Sequence, residues 1–246
     1  MRIGAAVITY QRLARFKRCM RTVLKHAKSL DVLCVVDDHS VTKQREYQRY
    51  FKSLEKSGVR VFINDANQGV GHSKNVALNH CFGEGCDYVF TIEDDMLITS
   101  ANAFSTYIQA SQRTKIGYLN YALHGPANAC GPRVVLGGIA MYPNCVGSFS
   151  MHSKALYERV GLYDEAYINA WEHVDYYYMA AKAGLCTRFW WFADVENSGA
   201  MIQEQAGSIE DSSIRIRDDW DANIAKGRAY FQQKHGIDVF AIPQQG

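Results

Sequence analysis

Four short runs of unbroken apolar character, residues 2–9, 31–36, 59–63 and 88–92, recur through the first hundred positions with a helical pattern between successive runs. Strands apolar on both faces are buried on both faces, so the chain is expected to form a parallel sheet covered by helices and built from right-handed βαβ units. Leu13, Phe16, Met20, Val23 and Leu24 carry the period of the first helix, and residues 43–56 and 73–81 supply the next two. After Asp95 the order changes. A helix over 101–113 with Ser100 as N-cap, strands over 116–121 and 134–141, and a last helix over 218–234 predict a mixed second half. No internal repeat, low-complexity tract or long linker divides the chain, so a single domain is the economical expectation.

A hydrophobic share of 48% with only 4 Pro in 246 residues excludes a disordered or fibrous chain. The net charge of +2 excludes a polycation, yet residues 11–28 hold seven Lys or Arg and no acid. Seven cysteines without a CxxC pair read as buried free thiols in a reducing compartment. The opening residues read as a first strand rather than a signal peptide, and no run approaches the roughly 20 apolar residues of a membrane span. These observations together predict a cytoplasmic protein.

In an open α/β sheet ligands bind outside the carboxyl ends of the strands. Here those ends are polar: Thr9-Tyr10-Gln11-Arg12, Asp37-Asp38-His39-Ser40, Asn64 to Gly69, and Glu93-Asp94-Asp95. Three adjacent acids repel one another unless a cation or solvent compensates them. Mg²⁺ or Mn²⁺, held by one or two carboxylates and substrate phosphate oxygens, suits such a tip, and a solvated acidic turn is the alternative. The segment from Asn67 to Asn75 contains a partial GxGxxG in the wrong βα unit for a dinucleotide, which argues against an oxidoreductase. Its Gly69 turn, helix N-terminus and Lys74 still suit a phosphate, or simply a tight turn. A third cluster, Trp171-Glu172-His173-Val174-Asp175, opens a helix with Glu172 and Asp175 on one face. Two carboxylates there can divide acid and base roles; alternatively Asn169 and Glu172 form a capping box, and His173 is structural.

Taken in order, VITYQR, CVVDDHS, NQGVGHSKN, YVFTIEDDM, GSFSMHSKALYERVGLYDE and WEHVDYYYMAAKAG resemble the family 2 glycosyltransferases of the GT-A fold over residues 3–190. The EDD form of the acidic motif is similar to that of N-acetylglucosaminyltransferases of the same fold. The resemblance implies a GT-A domain, with a Rossmann-like mixed sheet flanked by helices, a nucleotide-binding half over about 1–98 and an acceptor-binding half over about 99–246. It further implies inverting, metal-dependent transfer from a nucleotide sugar, a UDP-sugar first, to an acceptor hydroxyl. By the same resemblance Thr9 and Asp38 hold the nucleobase with Asp37 and Arg12 beside them, and Gly69 and Lys74 lie near the diphosphate. Asp95 is the metal ligand with Glu93 at the first position of the motif, and Asp94 lies near the ribose and donor sugar.

Two departures from that family pattern bear on the chemistry. The family's ED pair is Glu172-His173 here, leaving Glu172, His173 or Asp175 as base, with Glu172 favoured. The C-terminal histidine that often completes the metal site is missing from Asp194-Val195-Glu196-Asn197-Ser198-Gly199, so Glu196 or Asn197 is expected to substitute if diphosphate and water do not suffice. His235 reads as structural. A saccharide acceptor is the default expectation; a hydroxylated base in DNA, gripped through the basic helix, and peripheral contact with a membrane surface are the alternatives. A nucleotide-sugar-binding protein without transfer is the rival of another class. A nucleotidyltransferase is disfavoured because the first strand is not followed by a glycine-rich loop.

Overall fold

The computed structural model describes all residues except 209, 213, 216–217 and 242–246. Its centre is a six-stranded sheet in the order β3-β2-β1-β4-β9-β6. Strands β1 (Ile3–Thr9), β2 (Val32–Asp37), β3 (Arg60–Ile63) and β4 (Tyr88–Glu93) run parallel, as the apolar runs require. Strand β9 (Phe149–Ser153) is antiparallel to β4, and β6 (Tyr118–Asn120) is antiparallel to β9. The centre is therefore a mixed sheet flanked by helices, as the sequence led one to expect.

Alternate residues of the same strands feed two cores, because successive side chains of a strand point to opposite faces. Ala5, Val7 and Val35 pack with α1 (Leu13–His26) and α2 (Gln44–Lys56) through Phe16, Met20, Tyr47 and Phe51. Ala6, Ile8, Cys34 and Val36 pack against α3 (Val70–Gly83), α6 (Glu172–Lys182) and α7 (Trp220–His235). Helix α4 (Ala103–Thr114) joins the first core, and α5 (Lys154–Val160) joins the second through Leu156. All seven cysteines are free thiols, four of them buried. Among the described residues no helix is long and apolar enough to cross a membrane.

The second half departs from the sequence expectation in its details. The strand expected over 134–141 breaks into a hairpin, β7 (Val134–Leu136) and β8 (Ile139–Tyr142), because Gly137 and Gly138 both take positive φ. That hairpin forms a small sheet with β10 (Phe192–Val195), while β11 (Ile202–Glu204) pairs with β5 (Met96–Ile98). Ser100 is not the N-cap of α4. Asn102 holds that place, and the Ser100 hydroxyl instead accepts the Asn102 amide hydrogen at 3.2 Å. Nor does Asn169 form a capping box with Glu172, since the N-cap of α6 is Trp171, in a left-handed conformation with φ 75° and without a side-chain cap.

Candidate active site

The sheet register brings the polar tips together. Thr9 lies opposite Asp37, and Ile8 opposite Glu93, so the ends of β1, β2 and β4 open onto one cavity of about 430 Å³. Thr9, Arg12, Asp38, Glu93, Asp94 and Asp95 line it on the strand side; Glu172 and His173 line it from α6.

Asp38 is held by its neighbouring turn. Its carboxylate accepts hydrogen bonds from the side chains of Asn64 and Asn67 and from the backbone amides of Gln68 and Gly69, at 2.8–3.0 Å. Gly69, with φ 91°, is the N-cap of α3, a conformation that side chains resist. Asp37 turns away from the cavity to cap its own loop, accepting from the Ser40 amide and hydroxyl. Burial raises its carboxyl above the ordinary range.

Arg12 straddles the acidic motif, 2.5 Å from Asp94 and 3.1 Å from Asp95. Thr9 donates to the other Asp94 oxygen at 2.7 Å. Burial pushes the Asp94 carboxyl up to about 7 despite both partners. Burial also works against the ionised form of Asp95, but His124 and Arg12 outweigh it and keep that carboxyl below its ordinary value. Arg12 thus supplies the countercharge that three adjacent acids need.

His124 was not legible in the sequence. It lies in the loop after β6, with Nε2 3.6 Å from Asp95 and 3.4 Å from Glu204. Glu204 reaches this point because β11 pairs antiparallel with β5, setting it opposite Met96. Asp95 Oδ1 and His124 Nε2 are both buried without a hydrogen-bond partner. A buried carboxylate oxygen and a nearby imidazole nitrogen that both lack a hydrogen bond form a donor set that a small divalent cation satisfies. Among the described residues no three such side chains converge as a preformed metal cage, so phosphate oxygens and water would complete the shell. In the Asp194 to Gly199 stretch neither Glu196 nor Asn197, the expected substitute ligands, is among the residues lining the cavity, and Asp194 is consumed by Tyr107, Ser198 and two backbone amides.

Lys74 is fully buried beneath the cavity. It donates to Glu93 at 3.0 Å and to the Gly147 carbonyl at 2.9 Å, and lies 3.7 Å from Glu172. Burial disfavours its charge, yet Glu93 and Glu172 keep it protonated, with its pKa raised. The same lysine therefore steadies the first acid of one motif and the first acid of another. Glu172 is buried too; burial opposes its charge, but His173 and Lys74 prevail and bring it down to about 2. Asp175 is remote from this chemistry. It is claimed by Lys234 at 2.9 Å, His235 at 2.6 Å and Tyr167 at 3.2 Å, which fasten α7 to α6. His235 is structural, as expected.

Residues 5–110 match the family described as Glycosyl transferase family 2. No curated protein matches the chain in sequence. Among solved structures, Staphylococcus aureus TarS superposes with a TM-score of 0.58 at 15% identity, over 99% of this chain and 44% of that one. GalNAc-T7 with UDP, GalNAc and Mn²⁺ gives 0.62 at 12% identity, over 98% and 55%. The mannosyltransferase PcManGT from Pyrobaculum calidifontis, with GDP-Man and Mn²⁺, gives 0.56 at 12%, over 98% and 63%. The chain thus spans less than two thirds of the length of each of these three structures. Over residues 5–110 the chain thus matches glycosyltransferase family 2, and over nearly its whole length its fold is similar to that of glycosyltransferases of GT-A architecture.

Proposed function

We propose that the chain is an inverting glycosyltransferase that moves a sugar from a nucleotide sugar to a hydroxyl of a saccharide acceptor, with a divalent ion bound at Asp95. One observation carries this reading: the acidic motif and the Glu172-His173 pair line one cavity of about 430 Å³. That volume suits a nucleotide sugar with its acceptor hydroxyl at the mouth. The strand-end half, about residues 1–98, then serves the donor, and the remainder serves the acceptor.

In this reading Asp38 and Thr9 border the nucleoside end, and Asp94 lies toward the ribose and sugar. Asp95 and His124 would hold the ion, which supplies Lewis-acid neutralisation of the departing diphosphate. Arg12 supplies a countercharge to Asp94 and Asp95 when no donor is present. The acceptor oxygen attacks the anomeric carbon as its proton passes to a base on α6. The bond from that carbon to the diphosphate oxygen breaks, its electron pair leaves on phosphate, and one displacement inverts the configuration.

The test is nucleotide release from UDP- and GDP-sugars, with and without Mn²⁺, against saccharide acceptors and a DNA acceptor. Mn²⁺ binding in the presence of nucleoside diphosphate, followed by paramagnetic resonance, should weaken about tenfold or more in Asp95→Ala and in His124→Ala. Donor binding without turnover on any acceptor would replace the proposal by a binding function. Transfer that persists in Asp95→Ala under chelator would remove the metal from it.

A further inference from the structure

We propose that the general base of this site is His173 acting through Nε2, with the buried Glu172 carboxylate behind it as the group that orients the imidazole. This inference rests on the transferase reading and assigns the step that reading leaves to a base on α6.

The two side chains differ in what they can reach. Glu172 is 3% exposed, and its Oε1 is occupied by His173 Nδ1 at 3.0 Å with Lys74 3.7 Å away. Its Oε2 is sealed from solvent, so a bulky acceptor cannot approach it. The His173 side chain is 24% exposed and lines the cavity. A carboxylate accepts hydrogen bonds only, so the proton between the pair belongs to Nδ1. The lone pair of the neutral imidazole is then on Nε2, for which no hydrogen bond competes among the described residues.

The imidazole is also held in place. A Cβ at Gly147 would stand 3.0 Å from the Cβ and Cγ of His173 and 3.3 Å from Lys74 Nζ, so the ring packs directly on backbone that only glycine allows. The Cys145 thiol donates to the His173 carbonyl at 3.8 Å. The titratable groups placed against His173 are thus Glu172 on its own helix, Lys74 from α3 and Cys145 from the β8–β9 loop. Three residues ahead and immediately ahead of the pair, Asn169 and Trp171 both take left-handed backbone with φ 60° and 75°. Such conformations persist only where surrounding contacts impose them, and they are frequent beside sites that must be rigid.

In the step itself the acceptor O–H proton moves to Nε2, giving imidazolium paired with Glu172, while the new bond forms from acceptor oxygen to anomeric carbon. The sugar–phosphate bond breaks with its electrons on the diphosphate. Water then takes the proton from His173, and the cycle closes without oxidant or reductant.

Wild-type turnover of a nucleotide sugar is measured first, and its failure on every acceptor sinks the transferase reading together with this assignment. Given turnover, His173→Ala should lower kcat by about 10²–10⁴-fold with donor affinity by calorimetry unchanged. His173→Asp should restore part of that loss and move the acid limb of the pH–kcat/KM profile about two pH units lower, the difference between an imidazole and a carboxylate. Glu172→Gln should retain a measurable rate with the acid limb unmoved or lower, as expected when the orienting anion is lost. If His173→Ala keeps kcat within threefold while Glu172→Gln abolishes transfer, Glu172 is the base. The assignment then falls while the transferase reading stands.

Discussion

Lys74 illustrates what a residue's neighbours do to its role. Its place after the Gly69 turn suggested a phosphate contact, yet the helix that carries it points the side chain inward, where it links Glu93 and Glu172 rather than facing the cavity. Removing one partner of a buried ion pair leaves an uncompensated charge, which typically costs about 3–5 kcal/mol. Lys74→Met should therefore lower stability in denaturant titration by roughly that amount and depress transfer as well. An unchanged midpoint would mean that the two glutamates do not depend on it. His124 is the opposite case, unremarkable in sequence because its partners are distant. Its link to Asp95 joins positions 29 apart and that to Glu204 positions 80 apart, so no local spacing announces them. The candidates at the strand ends were legible because their position follows from strand polarity alone.

Elements of the first half follow their patterns closely, since strands buried on both faces leave little freedom of register. In the second half glycine and tertiary contacts decide. Gly137-Gly138 turns one expected strand into two, and the start of α6 is set by Trp171 rather than by Asn169. Trp171 takes its strained conformation against α7, where any Cβ at Gly227 would overlap the indole ring. Gly227→Ala should thus push Trp171 and the Glu172-His173 turn out of place. We expect a loss of about 1–3 kcal/mol by thermal unfolding and a fall in kcat with donor affinity retained. Full activity in that variant would free the α6 turn from α7. The clasp of Asp175 by Lys234 and His235 belongs to the same junction, which explains an acid near the Glu172-His173 pair that takes no part in the cavity.

At the scale of the molecule the charge is segregated. Residues 12–60 carry thirteen Lys or Arg against five Asp or Glu, and the rest of the chain carries fourteen against twenty. Helices α1 and α2 lie side by side on one face of the sheet through the contacts of Phe16 with Tyr47, Tyr50 and Phe51. Their outer sides expose Arg18, Arg21, Lys25, Arg45, Arg49, Lys52 and Lys56. Such a face attracts polyanions more strongly than a net charge of +2 implies, and salt screens it. On a heparin column the protein should elute at clearly higher salt than a variant with Arg45, Arg49, Lys52 and Lys56 replaced by Glu, with donor binding equal in both. Coincident elution would reduce the face to a solvated surface.

Sequence alone determined the parallel sheet, its helical cover and the convergence of Thr9, Asp38 and Glu93-Asp94-Asp95 at one edge. Apolar runs and strand direction are local properties, and the edge of a sheet inherits them. Only the tertiary structure decided which acids face the cavity and which are spent on buried partners. It seated His124 and Glu204 beside Asp95, turned Lys74 inward, and gave His173 the open side of its pair with Glu172. Those outcomes depend on packing between distant segments, where burial and charge are balanced by neighbours that no stretch of sequence contains.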